Sequence, residues 1–138
     1  MNRVARRKIS TIQKIAWGYG VLFLGVYSLD YVPGIMDANG KMFGLFSMTP
    51  LVDAGHLALG ALAVICALIS KKAARFYFWT LGVVYAVDVV TYVFTHLGAI
   101  SPMTNFLVNL PHTAIFLSAL IIAAKVDKGE DGAVSASA

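Results

Sequence analysis

The sequence predicts an all-α integral membrane protein, a four-helix bundle in which every helix crosses the bilayer. Of its 138 residues, 59% are hydrophobic and only 13% are charged, and a soluble domain of this length cannot bury so much apolar surface. The apolar residues fall into four runs of about 18 to 23 residues, enough to span a hydrocarbon core of about 30 Å. Lipid is therefore the predicted solvent for these runs.

The first apolar run is predicted to be a retained membrane helix. It covers residues 15–32 and stops before Pro33 and Gly34, which break helices. Although basic residues precede it, the run is too long for the apolar region of a signal peptide, and further spans follow it. Residues 35–48 combine turn residues with scattered aromatic rings, so we predict a loop that folds back onto the membrane interface.

The other three helices begin at recognisable signals. Thr49 is a typical N-cap and Pro50 a typical first helical residue, so helix 2 is predicted from there to about residue 70. Helix 3 is predicted over residues 76–97, and aromatic rings at its start suit the headgroup region. Helix 4 is predicted over residues 102–124.

Basic residues predict the orientation of the bundle. They cluster before helix 1, between helices 2 and 3, and after helix 4, whereas the other two loops contain only Lys41. The positive-inside rule then places both termini in the cytoplasm, as expected for a multi-pass protein of a bacterial inner (cytoplasmic) membrane. We divide the chain into a basic cytoplasmic N-terminus (1–12), a four-helix transmembrane domain (13–125) and a disordered cytoplasmic tail (126–138).

A polar residue followed three positions later by histidine occurs near the start of two helices. Helix 2 carries Asp53 and His56, and helix 4 carries Asn109 and His112. Three residues correspond to about 300° of α-helix, so the two members of each pair share one face. A Trp-x-x-Gly pattern also occurs twice, once in helix 1 and once in helix 3. The two repeated patterns together predict two helical hairpins related by a pseudo-twofold axis. A chance match is the alternative.

Together these motifs resemble a bacterial four-helix membrane family catalogued as domain of unknown function 4383. The resemblance covers residues 18–123 and rests on the two polar-x-x-His motifs and on short apolar motifs at residues 43–46, 60, 74–77 and 81–85. The chain departs from the family pattern at Asp53, where asparagine is usual, and at Pro111. Because the family has no established activity, the resemblance implies the fold and a pairing of His56 with His112, and no reaction.

The polar side chains of the apolar runs are predicted to form one pocket that opens outward. An ionised side chain at the centre of a membrane helix costs about 2.5 to 3.5 kcal/mol on insertion scales, so it usually faces a partner or a cavity. All of the following fall in the same half of the bilayer: Asp30, Asp53, His56, Asp88, His96, Asn109 and His112.

Two interpretations of this pocket need no cofactor. In the first, Asp53 and Asn109 orient the histidines, the cluster holds the helices together, and the protein is a scaffold or an accessory subunit. In the second, Asp88 and the two helix-borne histidines relay protons or a cation. The second is weakened because helices 2 and 4 are wholly apolar toward the cytoplasm.

The third interpretation is a ligand site. His56 and His112, each supported by its Asp or Asn neighbour, suit a haem or a chlorophyll-type pigment. With Asp88 and His96, they would instead suit a divalent metal ion.

Several other classes are disfavoured by the sequence. It has no Ser-His-Asp spacing, His-Glu-x-x-His motif, glycine-rich phosphate loop or paired catalytic carboxylates, which argues against an enzyme. The single cysteine, Cys66, rules out a disulfide within the chain. Because the basic residues flank apolar runs, nucleic acid is not a predicted partner. The predicted partners are the lipid bilayer and a membrane protein or a second copy of the chain.

Overall fold

The computed structural model describes residues 8–127 of the chain, and this part is dominated by four helices. Their bounds are α1 (Thr11–Ser28), α2 (Pro50–Ile69), α3 (Lys71–Thr95) and α4 (Pro102–Lys125). A 3₁₀ turn (Leu29–Tyr31) follows α1, and two short strands, β1 (Lys41–Met42) and β2 (Phe46–Ser47), pair antiparallel before α2. The prediction of an all-helical chain with four helices is confirmed.

Serine and threonine caps set the starts of the last three helices. Thr49 Oγ1 accepts a hydrogen bond from the backbone of Val52 (3.3 Å) at the start of α2, as its predicted N-cap role requires. Ser70 accepts from Ala73 (3.0 Å) in the same way. The prediction that α3 begins near residue 76 is therefore wrong. Because Ser70 caps the next helix, the basic residues at 71–75 form its first turns.

Three of the described helices are long and apolar enough to cross a membrane. The mean hydropathy is 2.0 for α2, 1.5 for α3 and 1.9 for α4. The helix α1 has only 18 residues and carries Gln13 and Lys14 in its first turn. Its mean hydropathy is therefore too low to place it among these three helices. Many large apolar side chains on the outer helix surfaces are exposed, among them Leu51, Phe76 and Phe94. Such surfaces are expected of a protein whose solvent is lipid.

Helix α1 packs mainly on α2, and α3 mainly on α4. Glycines allow the closest approach within each pair. A Cβ atom at Gly20 would lie 3.0 Å from the carbonyl oxygen of Gly60 and 2.5 Å from the side chain of Val64. One at Gly82 would lie 2.5 Å from the side chain of Leu120. A larger side chain would require the α2 backbone to move at Gly20, and the side chain of Leu120 to move at Gly82.

The start of α1 is tied to the ends of α2 and α4. The backbone N–H of Ile12 donates to Asp127 Oδ2 (2.8 Å), and the side chain of Gln13 donates to the carbonyl of Ala67 (2.6 Å). We call this end of the molecule the basic end, because residues 71–75 also lie there. Val126 and Asp127 belong to the tail predicted to be disordered; residues 128–138 of that tail and residues 1–7 lie outside the described part of the chain.

The opposite end, which we call the hairpin end, is formed by β1, β2 and the start of α2. The two strands are joined by a turn in which Phe43 (φ 54°) and Gly44 (φ 70°) adopt left-handed backbone conformations. Met42 points inward and is only 3% exposed. The predicted interfacial loop is therefore a short hairpin, which the sequence analysis did not foresee.

Most buried residues lie in the half of the molecule toward the basic end. Many of them are alanines, which let helices approach closely: Ala16, Ala63, Ala67, Ala74, Ala119 and Ala123. Toward the hairpin end, fewer residues are buried. The packing thus leaves space between the helices where the polar side chains were predicted to meet.

Candidate functional site

His56 lies two turns into α2, and its ring is held by contacts on two sides. Its Nδ1 lies 2.8 Å from the carbonyl oxygen of Val52, so this nitrogen carries the proton. The ring stacks on Tyr27 of α1, with centroids 3.8 Å apart and planes at 15°. It also packs against the edge of Tyr85 from α3, at 6.3 Å. His56 therefore presents Nε2 as its unengaged nitrogen.

His112 is oriented by a carboxylate from the neighbouring helix. Its Nδ1 lies 2.8 Å from Asp88 Oδ2, so α3 and α4 are joined by a side-chain hydrogen bond. Tyr85 packs edge-on against this ring as well, at 5.0 Å, and the centroids of His112 and His56 are 6.1 Å apart. The two histidines thus lie together, as the paired motifs had implied.

The polar residues predicted to orient these histidines do not bind them. Asn109 is 6% exposed, and its Nδ2 donates to the carbonyl and to the side chain of Asn105, both at 2.8 Å. Asp53 is 8% exposed, and the proton of His56 goes to the carbonyl of Val52 instead. His56 therefore bonds to a carbonyl of its own helix, and His112 to a side chain of the neighbouring helix.

A cavity of about 700 Å³ lies at the hairpin end, between the helices and beneath β1 and β2. Its walls are mostly apolar. Polar side chains line it from all four helices: Tyr27 of α1, His56 of α2, Tyr85, Asp88 and Tyr92 of α3, and Asn109 and His112 of α4. The hairpin contributes Met42, Phe43, Leu45, Phe46 and Ser47.

Four of the seven residues predicted for one pocket line this cavity, namely His56, Asp88, Asn109 and His112. The carboxylate of Asp88 meets His112, yet its side chain stays 54% exposed, because the cavity is open beside it. Asp30, Asp53 and His96 do not line the cavity.

His96 lies apart from the other histidines, at the end of α3. Its ring stacks on Tyr92 at 4.0 Å, and its Nδ1 lies 3.0 Å from the Tyr92 carbonyl oxygen. Within residues 8–127, no three His, Cys, Asp or Glu side chains form a group suited to a metal ion. The ligand set of His56, His112, Asp88 and His96 is therefore not assembled around one point.

Asp30 and Asp53 form a separate pair of carboxyl groups beside the cavity. Both Asp30 oxygens and Asp53 Oδ1 are buried and have no hydrogen-bond partner in the described part of the chain. Burial, together with the neighbouring Asp53, raises the pKa of Asp30 to about 6. Two buried carboxyl groups side by side resist ionising together, so Asp30 holds its proton to a higher pH than a free carboxyl.

We expect this pair to make stability fall as pH rises from about 4 to about 6. In that window the folded protein holds a proton on Asp30 that the unfolded chain, with the usual pKa of 3.8, has released. The Asp30→Asn variant should lose this part of the pH dependence and melt a few degrees higher than wild type at pH 7. Thermal unfolding in detergent at several pH values measures both effects. If the melting temperatures of the two proteins change with pH in the same way, the assignment is wrong.

Tyr85 is a site residue that the sequence analysis missed. It is 4% exposed, its ring lies against both histidines, and its hydroxyl has no hydrogen-bond partner among the described residues. The signal was present, because Tyr85 precedes Asp88 by three positions and therefore shares its helix face. A tyrosine in an apolar run is ordinarily a packing residue, and only the positions of the two histidines single it out.

These features define a helical membrane protein with a cavity of ligand size at one end. A family model described as Domain of unknown function (DUF4383) matches residues 13–103, and the chain belongs to this family. The resemblance noted from the sequence is confirmed. The match includes His56 and Asp88 but ends before Asn109 and His112. No curated protein and no solved structure matches the chain.

Proposed function

We propose that this protein binds a small lipid-soluble molecule in the cavity at its hairpin end. The observation that carries the proposal is the cavity itself. Ligand sites in proteins are typically clefts of about 300 to 1,000 Å³ with mostly apolar walls and a few placed polar groups. The cavity has about 700 Å³, and its polar side chains, among them His56 and His112, come from all four helices.

The proposal includes a topology. We place four spans in the membrane of a bacterial cell, with residues 13–125 as the membrane domain, both termini in the cytoplasm and the hairpin end outside. The bond between Ile12 and Asp127, which brings the two ends of the described chain together, supports this arrangement. Reporters fused at residue 40 and at the C-terminus should lie on opposite sides of the membrane; signals from one side would overturn the topology.

Filling the cavity should abolish ligand binding. Gly55 lines the cavity, and a Cβ atom there meets nothing within 4 Å, so a phenylalanine can extend into the space without a backbone clash. We expect native mass spectrometry of wild-type protein, extracted from its own membranes in mild detergent, to show a bound molecule. We expect Gly55→Phe to lose at least nine-tenths of it.

A matched control is available in α1. Gly25 also has open space around its Cβ position but lies outside the cavity, so Gly25→Phe should retain the bound molecule. If wild type carries no small molecule, or if both variants retain one equally, the cavity is not a ligand site. The protein would then be better explained as a scaffold or an accessory subunit.

A metal or haem is the second candidate. Both histidines donate Nδ1–H to an oxygen acceptor, the arrangement that usually supports a metal-bound imidazole. His56 and His112, whose ring centroids are 6.1 Å apart, would hold such a group and would supply its imidazole ligands. An absorption spectrum and metal analysis of protein purified from its native membrane test this candidate. A colourless, metal-free protein would exclude it.

A further inference from the structure

We infer that the ligand of this cavity is an aromatic lipid with hydroxyl groups on its ring, of the quinol class. This inference rests on the proposed function and adds the chemistry of the ligand head group. Three features of the cavity support it: the hydrogen-bonding groups on its walls, the absence of cations among its described lining residues, and the aromatic rings around its polar groups.

The two histidines offer hydrogen-bond acceptors. Because Nδ1 of His56 and of His112 donates to the Val52 carbonyl and to Asp88, the neutral rings carry a lone pair on Nε2. Neither Nε2 has a hydrogen-bond partner within residues 8–127. A ligand that donates hydrogen bonds would therefore satisfy the Nε2 acceptors of both rings.

Tyr85 flanks the two acceptors as an apolar wall. Its ring lies against both imidazoles, and its hydroxyl is buried without a hydrogen-bond partner in the described part of the chain. Because this hydroxyl has no accessible surface, a molecule in the cavity does not reach it. The hydrogen bonds to the head group therefore come from the two histidines.

The charge of the cavity excludes an anionic head group. No lysine or arginine is among its described lining residues, and Asp88 supplies a carboxylate. A phosphate or carboxylate head group would find no cation to pair with and would be repelled by Asp88. The head group is therefore neutral, unlike that of a phospholipid or a fatty acid.

The surrounding rings favour a flat head group. Tyr27, Phe43, Phe46 and Tyr85 line the cavity with the histidines, and aromatic rings pack well by offset stacking and edge contacts. The remaining walls are apolar and accommodate a hydrocarbon tail. A quinol ring combines the flat shape with two hydroxyl groups, whereas a saturated alcohol has one hydroxyl and no ring face.

Three matched probes separate these contributions: 2,3-dimethyl-1,4-naphthoquinol, its 1,4-dimethyl ether, and 2,3-dimethylnaphthalene. The quinol donates and accepts hydrogen bonds, the ether only accepts, and the hydrocarbon does neither. We expect the quinol to bind wild-type protein about tenfold more tightly than either the ether or the hydrocarbon, because only the quinol donates hydrogen bonds to the histidines. Anaerobic titrations in detergent, followed by protein fluorescence, measure these constants.

Variants assign the effects to residues. Replacing His56 or His112 with phenylalanine should remove most of the preference for quinol over ether. Tyr85→Phe should leave the affinity for all three probes unchanged, because the Tyr85 hydroxyl has no accessible surface in the cavity. Unchanged hydrocarbon binding also shows that each variant is folded. His96→Ala, outside the cavity, should behave as wild type.

The outcomes also separate this inference from the proposed function. If all three probes bind with equal affinity, the cavity accepts lipid-soluble molecules but the quinol inference is wrong. A long-chain saturated alcohol that displaces the quinol at equal concentration would also overturn it. If none of the three probes binds, both the inference and the proposed function fail.

Discussion

Replacing Gly20 with alanine is expected to lower the free energy of unfolding by about 1 to 3 kcal/mol, the usual cost of overpacking. The added methyl group would lie 2.5 Å from Val64 Cγ2 and 3.0 Å from the carbonyl oxygen of Gly60. The carbonyl belongs to the α2 backbone and the valine side chain is stiff, so neither moves away cheaply. The α1–α2 pair must separate, and the melting temperature measured in detergent should fall.

The same substitution at Gly18 is the matched control, and its effect should have the opposite sign. Gly18 lies in the same helix with nothing within 4 Å of its Cβ position. Alanine there gains helix propensity of up to about 1 kcal/mol without a clash. Equal destabilisation by the two variants would show that close approach at Gly20 does not hold the pair together.

Removing His112 alone is expected to destabilise the protein more than removing His112 together with Asp88. The histidine variant leaves the carboxyl of Asp88 without its partner within an apolar helix, which is costly, whereas the double variant removes the polar group as well. We expect a coupling of about 1 kcal/mol, typical of side-chain hydrogen bonds between membrane helices. Leucine substitutions in a double-mutant cycle, measured by thermal unfolding in detergent, give this value.

His96 provides the comparison for this cycle. Its Nδ1 is bonded within its own helix, to the Tyr92 carbonyl, and a cycle of His96→Leu with Asp88→Leu should be additive. If the His112 cycle is also additive, the hydrogen bond between α3 and α4 contributes nothing to stability. Asp88 would then be available to a ligand rather than committed to the histidine.

Much of the architecture followed from local signals in the sequence. Uninterrupted apolar runs predicted the helices, and Thr49 and Pro50 marked the start of α2 because capping depends only on neighbouring residues. The dependence of capping on neighbouring residues also explains why the predicted start of α3 was wrong. Ser70 caps α3 directly, so the basic residues at 71–75 are helical, although their charge had indicated a turn.

The sequence by itself determined which side chains share a helix face, because residues three or four positions apart lie together on any α-helix. This spacing predicted that Asp53 lies near His56 and that Asn109 lies near His112. Partners on different helices depend on how the helices approach and rotate, which glycine and alanine contacts far from the site decide. Only the tertiary structure therefore showed that His112 bonds to Asp88, that the hairpin covers a cavity, and that Tyr85 lies against both histidines, since each of these involves residues that are distant in the chain.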